Sequence, residues 1–135
     1  DDPRGLGMSI TAIYTALCAL LVLFLAARVS LARRSAHVGI GDGGDRLLLR
    51  RIRTHANAVE SIPIALLLLL VLELARVRPT LLHVFGVTLV VGRVLHAIGL
   101  SRSGGTTPER FIGTALTWLD ILAMSLLVLW RVFGG

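Results

Sequence analysis

The chain has 135 residues, 55% of them hydrophobic and only 5% aromatic, and its formal net charge of +6 rests on arginine alone, because all 14 basic residues are Arg. An apolar content carried by Leu, Val, Ile and Ala is a membrane composition, and it leaves no residues for a separate soluble domain. The basicity does not point to nucleic acid: the arginines gather at the ends of apolar runs and inside them, where bilayer orientation and ligand binding explain them better than a phosphate-tracking surface does.

Four apolar runs, about Met8–Ala27, Val59–Ala75, Leu81–Leu100 and Phe111–Phe133, are each near the ~20 residues that a helix needs to cross ~30 Å of hydrocarbon. The expected fold class is therefore an all-α integral membrane protein, a four-transmembrane-helix bundle forming one domain over residues 8–135, with helices about 9–31, 46–75, 80–100 and 109–133. Any site must then lie between helices. Residues 1–7 read as a tag remnant or disordered N-terminus ahead of a native Met8. No signal peptide is evident, since the first apolar run is full length and is followed by Arg and not by a small-residue cleavage site.

Helix one is apolar all round and emerges at Arg28, Arg33 and Arg34; Cys18, midway along it, reads as a packing residue. The loop from His37 to Asp45 is glycine-rich, but it has no preceding strand and no Gly-Lys-Ser/Thr step, so a flexible turn with Asp45 capping the next helix is expected. Helix two is longer than a bilayer and contains Pro63, which removes a donor for the carbonyl of Val59 and predicts a kink near Glu60. Its Arg50, Arg53, Asn57 and Glu60 stack on one side of the cylinder. The outermost arginines, Arg46 and Arg51, read as headgroup anchors, Arg51 because it points off that side.

Arg76 to Thr80 forms a tight turn, with Pro79 starting helix three and Thr80 a candidate cap; His83 is expected at the interface. On helix three, Gly86, Gly92 and Gly99 allow close helix contact, and Arg93 and His96 share a face. Helix four starts near Pro108 and Glu109 and carries Arg110 at its mouth, Trp118 and Asp120 within, and Trp130 as an interfacial anchor. The loops on one side hold Arg28, Arg33, Arg34, Arg46, Arg50, Arg51, Arg53, Arg102 and Arg110, against Arg4, Arg76, Arg78 and Arg131 opposite. The positive-inside bias therefore predicts cytoplasmic arginine-rich loops and outward termini.

Ionisable groups within a bilayer cost roughly 2.5–3.5 kcal/mol each on insertion scales and usually mark a site. Counting heights at ~1.5 Å per residue places Glu60, Arg93 and Asp120 roughly 10–15 Å inside the arginine-rich boundary, where they can meet. Arg93 between two acids would be a satisfied network, serving either a ligand or simply the locking of helices. Above it, Arg33, Arg50, Arg53, Asn57, His96 and Arg110 form a cup suited to a ligand with several carboxylates, and no metal is expected. Arg binds carboxylate bidentately, Asn offers donor and acceptor to an amide, and Glu60 can hold an ammonium. Glutathione, with two carboxylates, an ammonium, two amides and a thiol, matches that chemistry.

Three pieces together resemble the membrane-associated proteins of eicosanoid and glutathione metabolism, the MAPEG family: Arg50-x-x-Arg53-x-x-x-Asn57-x-x-Glu60-x-x-Pro63, then Gly92-Arg93-Val94-Leu95-His96, then Pro108-Glu109-Arg110. Gly41–Gly44 and Asn57–Ile64 are similar to its short bacterial branch. The resemblance implies a homotrimer in the bacterial inner membrane, with glutathione held between neighbouring subunits near the cytoplasmic face. It implies glutathione contacts from Arg53, Asn57 and Glu60, matches Arg33 to a family arginine at the end of helix one and sets His96 where relatives have His or Tyr. The charge and position of Arg50 and Arg93 add them to the candidate binding set. Arg110 falls where the family's thiolate-stabilising arginine stands. A thiolate so formed would attack a lipophilic electrophile or reduce a hydroperoxide drawn from the bilayer. Leu100 occupies a position where catalytic relatives commonly carry Tyr, and Ser61 one where some relatives do. The resemblance accordingly leaves open a glutathione-dependent transferase or peroxidase and a non-catalytic module that binds glutathione or lipid. A small multidrug transporter built on an intramembrane acid is a third reading, but it requires an acid clear of arginines.

Overall fold

Four helices make up a computed structural model that describes residues 9–102, 105 and 107–135: α1 (Ser9–Ala36), α2 (Arg46–Leu74), α3 (Pro79–Arg102) and α4 (Pro108–Phe133). The stretch read as a tag remnant lies outside the described residues, as do 103, 104 and 106 in the third loop. Each helix is long and apolar enough to cross a membrane. Large apolar side chains also face outward, among them Leu20, Leu23 and Phe24 on α1 and Leu119 and Leu122 on α4, as expected where the surroundings are lipid.

Local chemistry sets the helix ends. α1 continues past the expected end near residue 31 to Ala36, because arginine favours helix and nothing before His37 interrupts it. In the following turn Asp42 accepts from Asp45 N at 2.9 Å and, through Oδ1, from Gly44 N at 2.8 Å. Gly43 sits at φ 57° with Val38 Cγ2 2.6 Å from where a Cβ would stand, so only glycine suits it. Asp45 then caps α2, its Oδ1 accepting from Leu48 N at 2.8 Å. α2 runs as one element through Pro63. α3 begins at Pro79, which puts Thr80 inside the first turn and not at the cap. Thr107 caps α4, its Oγ1 accepting from Arg110 N at 3.2 Å, with Pro108 at the first helical position.

Side-chain contacts fix the topology. The end of α2 meets the start of α1, where Glu73 accepts from Ile10 N at 3.1 Å and from Thr11 N at 2.9 Å. The starts of α1 and α3 meet where the Tyr14 hydroxyl pairs with His83 Nδ1 at 2.8 Å. Arg131, near the end of α4, donates to the carbonyl of Ala75. The helices therefore alternate in direction, and the ends rich in arginine share one side. α1 packs on α2 and α3, and α4 packs on α2 and α3; among the described residues α1 and α4 do not touch. The core between them holds Cys18, Leu25, Ile62, Leu69, Leu89 and Met124.

Hydrophobic burial contributes little between helices in lipid, so close backbone approach and polar contacts carry the packing. Gly86 leaves room for the Tyr14 ring, and Gly99 faces Arg110 N and Thr107. Gly92 and Gly113 bring the backbones of α3 and α4 together. Glu73 caps the first turn of α1 from a distant helix, meeting backbone donors that lie too early in α1 to find a partner within it. Replacing Glu73 by Ala is expected to cost about 1–2 kcal/mol. The effect is read as a lower thermal midpoint in detergent together with faster hydrogen exchange in the first turn of α1 alone.

Candidate functional site

The long polar face of α2 opens onto two adjoining cavities. The first, about 160 Å³, is lined by Leu49, Arg50, Arg53 and Asn57 of α2, Leu100 of α3 and Arg110 of α4. The second, about 300 Å³, is lined by Asn57, Glu60 and Ser61 of α2, Arg93 of α3 and Thr114, Thr117 and Trp118 of α4. Asn57 belongs to both. The helical spacing of Arg50, Arg53, Asn57 and Glu60 thus becomes one wall of a groove between α2 and α4, with α3 behind it. Arg110 joins Arg50 and Arg53 around the first cavity because the Thr107 cap starts α4 where Gly99 admits it closely.

Arg93 is 3% exposed and sits at the junction of three helices. Its Nε donates to Thr117 Oγ1 at 3.0 Å, and its Nη1 donates to Ser61 Oγ at 3.0 Å and to Asn57 Oδ1. These are neutral oxygens, which overturns the expected network of Arg93 with Glu60 and Asp120. Glu60 instead lies 3.9 Å from Arg53, with its side chain 62% exposed; an ion pair so open to its surroundings contributes little to stability. Asp120 is buried at 4% exposure, and among the described residues its Oδ2 has no hydrogen-bond partner. Matching heights along the helices did not ensure matching directions around them. Arg93 is therefore first an organiser of Asn57, Ser61 and Thr117, and second a wall of the larger cavity.

Two expected members of the cup stand apart from both cavities. Arg33 donates to the carbonyl of Gly41 at 2.7 Å and braces the first loop. His96 is 3% exposed, packed where Gly113 approaches its backbone. Arg51, expected to be a headgroup anchor, is partly buried and donates to the carbonyl of Arg28 at 3.2 Å, tying α2 to α1. Leu100 is buried at the back of the first cavity and presents no hydroxyl there.

Ser61 and Thr117 are site residues that sequence reasoning missed as polar partners. Both hydroxyls donate to carbonyls four residues back, Ser61 to Asn57 O at 2.8 Å and Thr117 to Gly113 O at 2.9 Å. Their lone pairs are thereby turned toward Arg93. The spacing of Asn57 and Ser61 along one helix carried that signal, whereas the share of Thr117 depends on how α3 and α4 pack.

An intramembrane groove lined by arginines, an asparagine and hydroxyls, on a four-helix membrane scaffold, agrees with what comparison with known proteins returns. The MAPEG family matches residues 11–130, and the chain belongs to that family. It is 36% identical over 121 residues to the inner membrane protein YecN of Escherichia coli strain K12, covering 90% of this chain and 91% of that protein. The protein of the same name from Escherichia coli O6:H1 is similar to the same extent.

Proposed function

We propose that the protein binds glutathione in the groove between α2 and α4 and holds its thiol as a thiolate for reaction with lipophilic electrophiles or hydroperoxides. The observation that carries this reading is the meeting of Arg50, Arg53 and Asn57 with Arg110 around one cavity. Arginine pairs bidentately with carboxylate, and the rail of α2 offers this at the mouth, with Glu60 deeper along it for the ammonium. Arg110 lies across from the rail. A cation beside a thiol of pKa ~8.5 favours the thiolate, often by a unit or more. The sulfur then bonds to an electrophilic carbon as the leaving group departs, or attacks the terminal oxygen of a hydroperoxide, forming an S–O bond as the O–O bond breaks and the alkoxide takes a proton to leave as the alcohol. A second glutathione thiol reduces the resulting sulfenic acid to the disulfide and water.

The groove of one chain is small for a whole tripeptide, and Arg33 lies off it. The proposal therefore includes a homotrimer in which a neighbouring subunit closes the groove and contributes Arg33. It also places the chain in a bacterial inner membrane with the arginine-rich end in the cytoplasm, where glutathione is abundant. A second reading, a glutathione-binding module without turnover, is favoured by Leu100, whose apolar side chain lines the cavity at the position where catalytic relatives commonly carry Tyr.

The test is titration of the detergent-purified protein with glutathione, followed by ultraviolet absorbance of the bound thiolate. Arg53→Ala is expected to weaken binding by about ten- to a hundredfold, the loss of a charge-assisted contact. Arg110→Ala is expected to abolish the thiolate band with a smaller change in affinity. The absence of saturable binding, or binding indifferent to Arg53→Ala, would sink the assignment. Saturable binding with no thiolate band and no turnover of an aryl halide or fatty hydroperoxide decides for the second reading.

A further inference from the structure

A third cavity lies on the opposite side of α3, in a groove between α1 and α3, and shares no lining residue with the two already described. It measures about 260 Å³. Its walls are Leu21, Phe24 and Leu25 of α1 and Val94, Ala97 and Ile98 of α3, and its polar groups, Arg28, Ser101 and Arg102, all lie at one end. A pocket that is oily along its length and cationic at a single end is matched by an amphiphile with an anionic head.

The position of the cationic end identifies the kind of amphiphile. α1 carries no charge from Ser9 to Ala27, so Arg28 stands where the apolar run meets the headgroup region. Arg28 Nη1 donates to Ser101 Oγ at 2.8 Å, and the guanidinium lies 5.9 Å from the centre of the Phe24 ring, which aims it along the groove mouth. Arg51 donates to the Arg28 carbonyl, and Arg50 donates to the Arg102 carbonyl at 3.4 Å. Four arginines are thus knitted together by backbone carbonyls and one hydroxyl, none of which carries a full negative charge. Among the described residues the carboxylate that meets them is Glu109, 2.7 Å from Arg102. Arg51 Nε is buried and, among the described residues, has no hydrogen-bond partner. The cluster has an excess of positive charge at the membrane boundary, where anionic lipid phosphates supply the complement at about 1 kcal/mol per arginine.

We infer that this groove is a binding site for an anionic phospholipid, one acyl chain lying between α1 and α3 and the phosphate held by Arg28 and Arg102. At ~30 Å³ per water-sized group, the cavity accepts about eight or nine such groups, a length of one chain and not a whole lipid. The second chain lies in the surrounding bilayer. This inference is independent of glutathione binding.

The experiment is native mass spectrometry of the full chain, purified in detergent and exchanged against an equimolar mixture of phosphatidylglycerol and phosphatidylcholine with identical acyl chains. Retention of phosphatidylglycerol is expected to exceed that of phosphatidylcholine by on the order of tenfold. Arg102→Gln, an exposed substitution at a helix end, lowers the ratio severalfold, and adding Arg28→Gln brings it near unity. Arg34→Gln, a basic residue outside the groove, leaves it unchanged. Ala97→Leu narrows the groove and reduces retention of both lipids without altering the number of chains per particle. Equal retention of the two lipids, or equal sensitivity to Arg34→Gln, overturns the site. It is likewise overturned if glycerol phosphate displaces the lipid as well as a lysophospholipid does. An Ala97→Leu variant that changes the number of chains while lipid retention persists assigns the groove to a second copy of the chain and also overturns it.

Discussion

Gly113→Ala is expected to be the most damaging small substitution in the bundle. A Cβ at this position would stand 2.5 Å from the carbonyl oxygen of Gly92, 2.5 Å from His96 N and 2.9 Å from His96 Cα. All three are backbone atoms of α3, so no rotamer change relieves the overlap, and the two helices must separate by about 1 Å to restore ordinary contact. Overpacking of a rigid interface costs about 1–3 kcal/mol, and here it also draws Thr117 away from Arg93 and Arg110 away from the α2 rail. The thermal midpoint in detergent and the glutathione affinity should therefore fall together. Gly39→Ala, where nothing lies near the added methyl, should leave both unchanged. If Gly113→Ala keeps a wild-type midpoint, the close α3–α4 crossing is not present in the folded protein.

Arg93→Leu separates stability from binding. Had Arg93 been neutralising Glu60 and Asp120, its loss would leave buried unpaired carboxylates at about 3–5 kcal/mol. Its partners are neutral instead. Ser61 and Thr117 keep their bonds to the carbonyls four residues back, and removing a buried guanidinium also removes its desolvation cost, about 2.5–3.5 kcal/mol on insertion scales. The losses and gains largely offset, so the thermal midpoint should move less than in Gly113→Ala. Asn57, however, loses the group that holds its carboxamide, and glutathione affinity should drop at least about tenfold. Calorimetric titration alongside the melting curve distinguishes the two outcomes: a collapse of stability with unchanged affinity in the surviving protein would contradict this account of Arg93.

Much of the scaffold is legible in the chain because its determinants are local. Uninterrupted apolar runs set the four helices, and Asp45, Pro79 and Pro108 mark the starts of three of them through chemistry contained within a turn or two. The polar face of α2 is legible for the same reason, since the periodicity of a single helix fixes which of its residues share a side. What escaped reading depends on how helices are rotated against one another. Height along the bilayer put Glu60, Arg93 and Asp120 on one level, yet the exposed Glu60 carboxylate pairs with Arg53 and Asp120 is buried away from Arg93's hydrogen bonds. Ser61 and Thr117 look like ordinary small polar residues until α3 delivers Arg93 between them. The strut from Arg51 to the Arg28 carbonyl was equally hidden, because a backbone acceptor leaves no mark in a pattern of side chains.

The bond from Arg93 to Asn57 also determines what the site can read. A guanidinium has donors and no acceptor, so the Asn57 carboxamide must turn its oxygen to Arg93. Its NH₂ group is then the end left for the two cavities. The asparagine thus keeps both N–H donors for a carbonyl or carboxylate oxygen, while Arg93 takes one of the two lone pairs on its own oxygen. With the arginines around it also donating, the groove favours acceptor oxygens, and among the described residues that line its α2 wall the exposed Glu60 is the carboxylate that can answer a cationic donor. On the proposed reading, glutathione would lie with a carboxylate toward Arg50 and Arg53 and its ammonium toward Glu60.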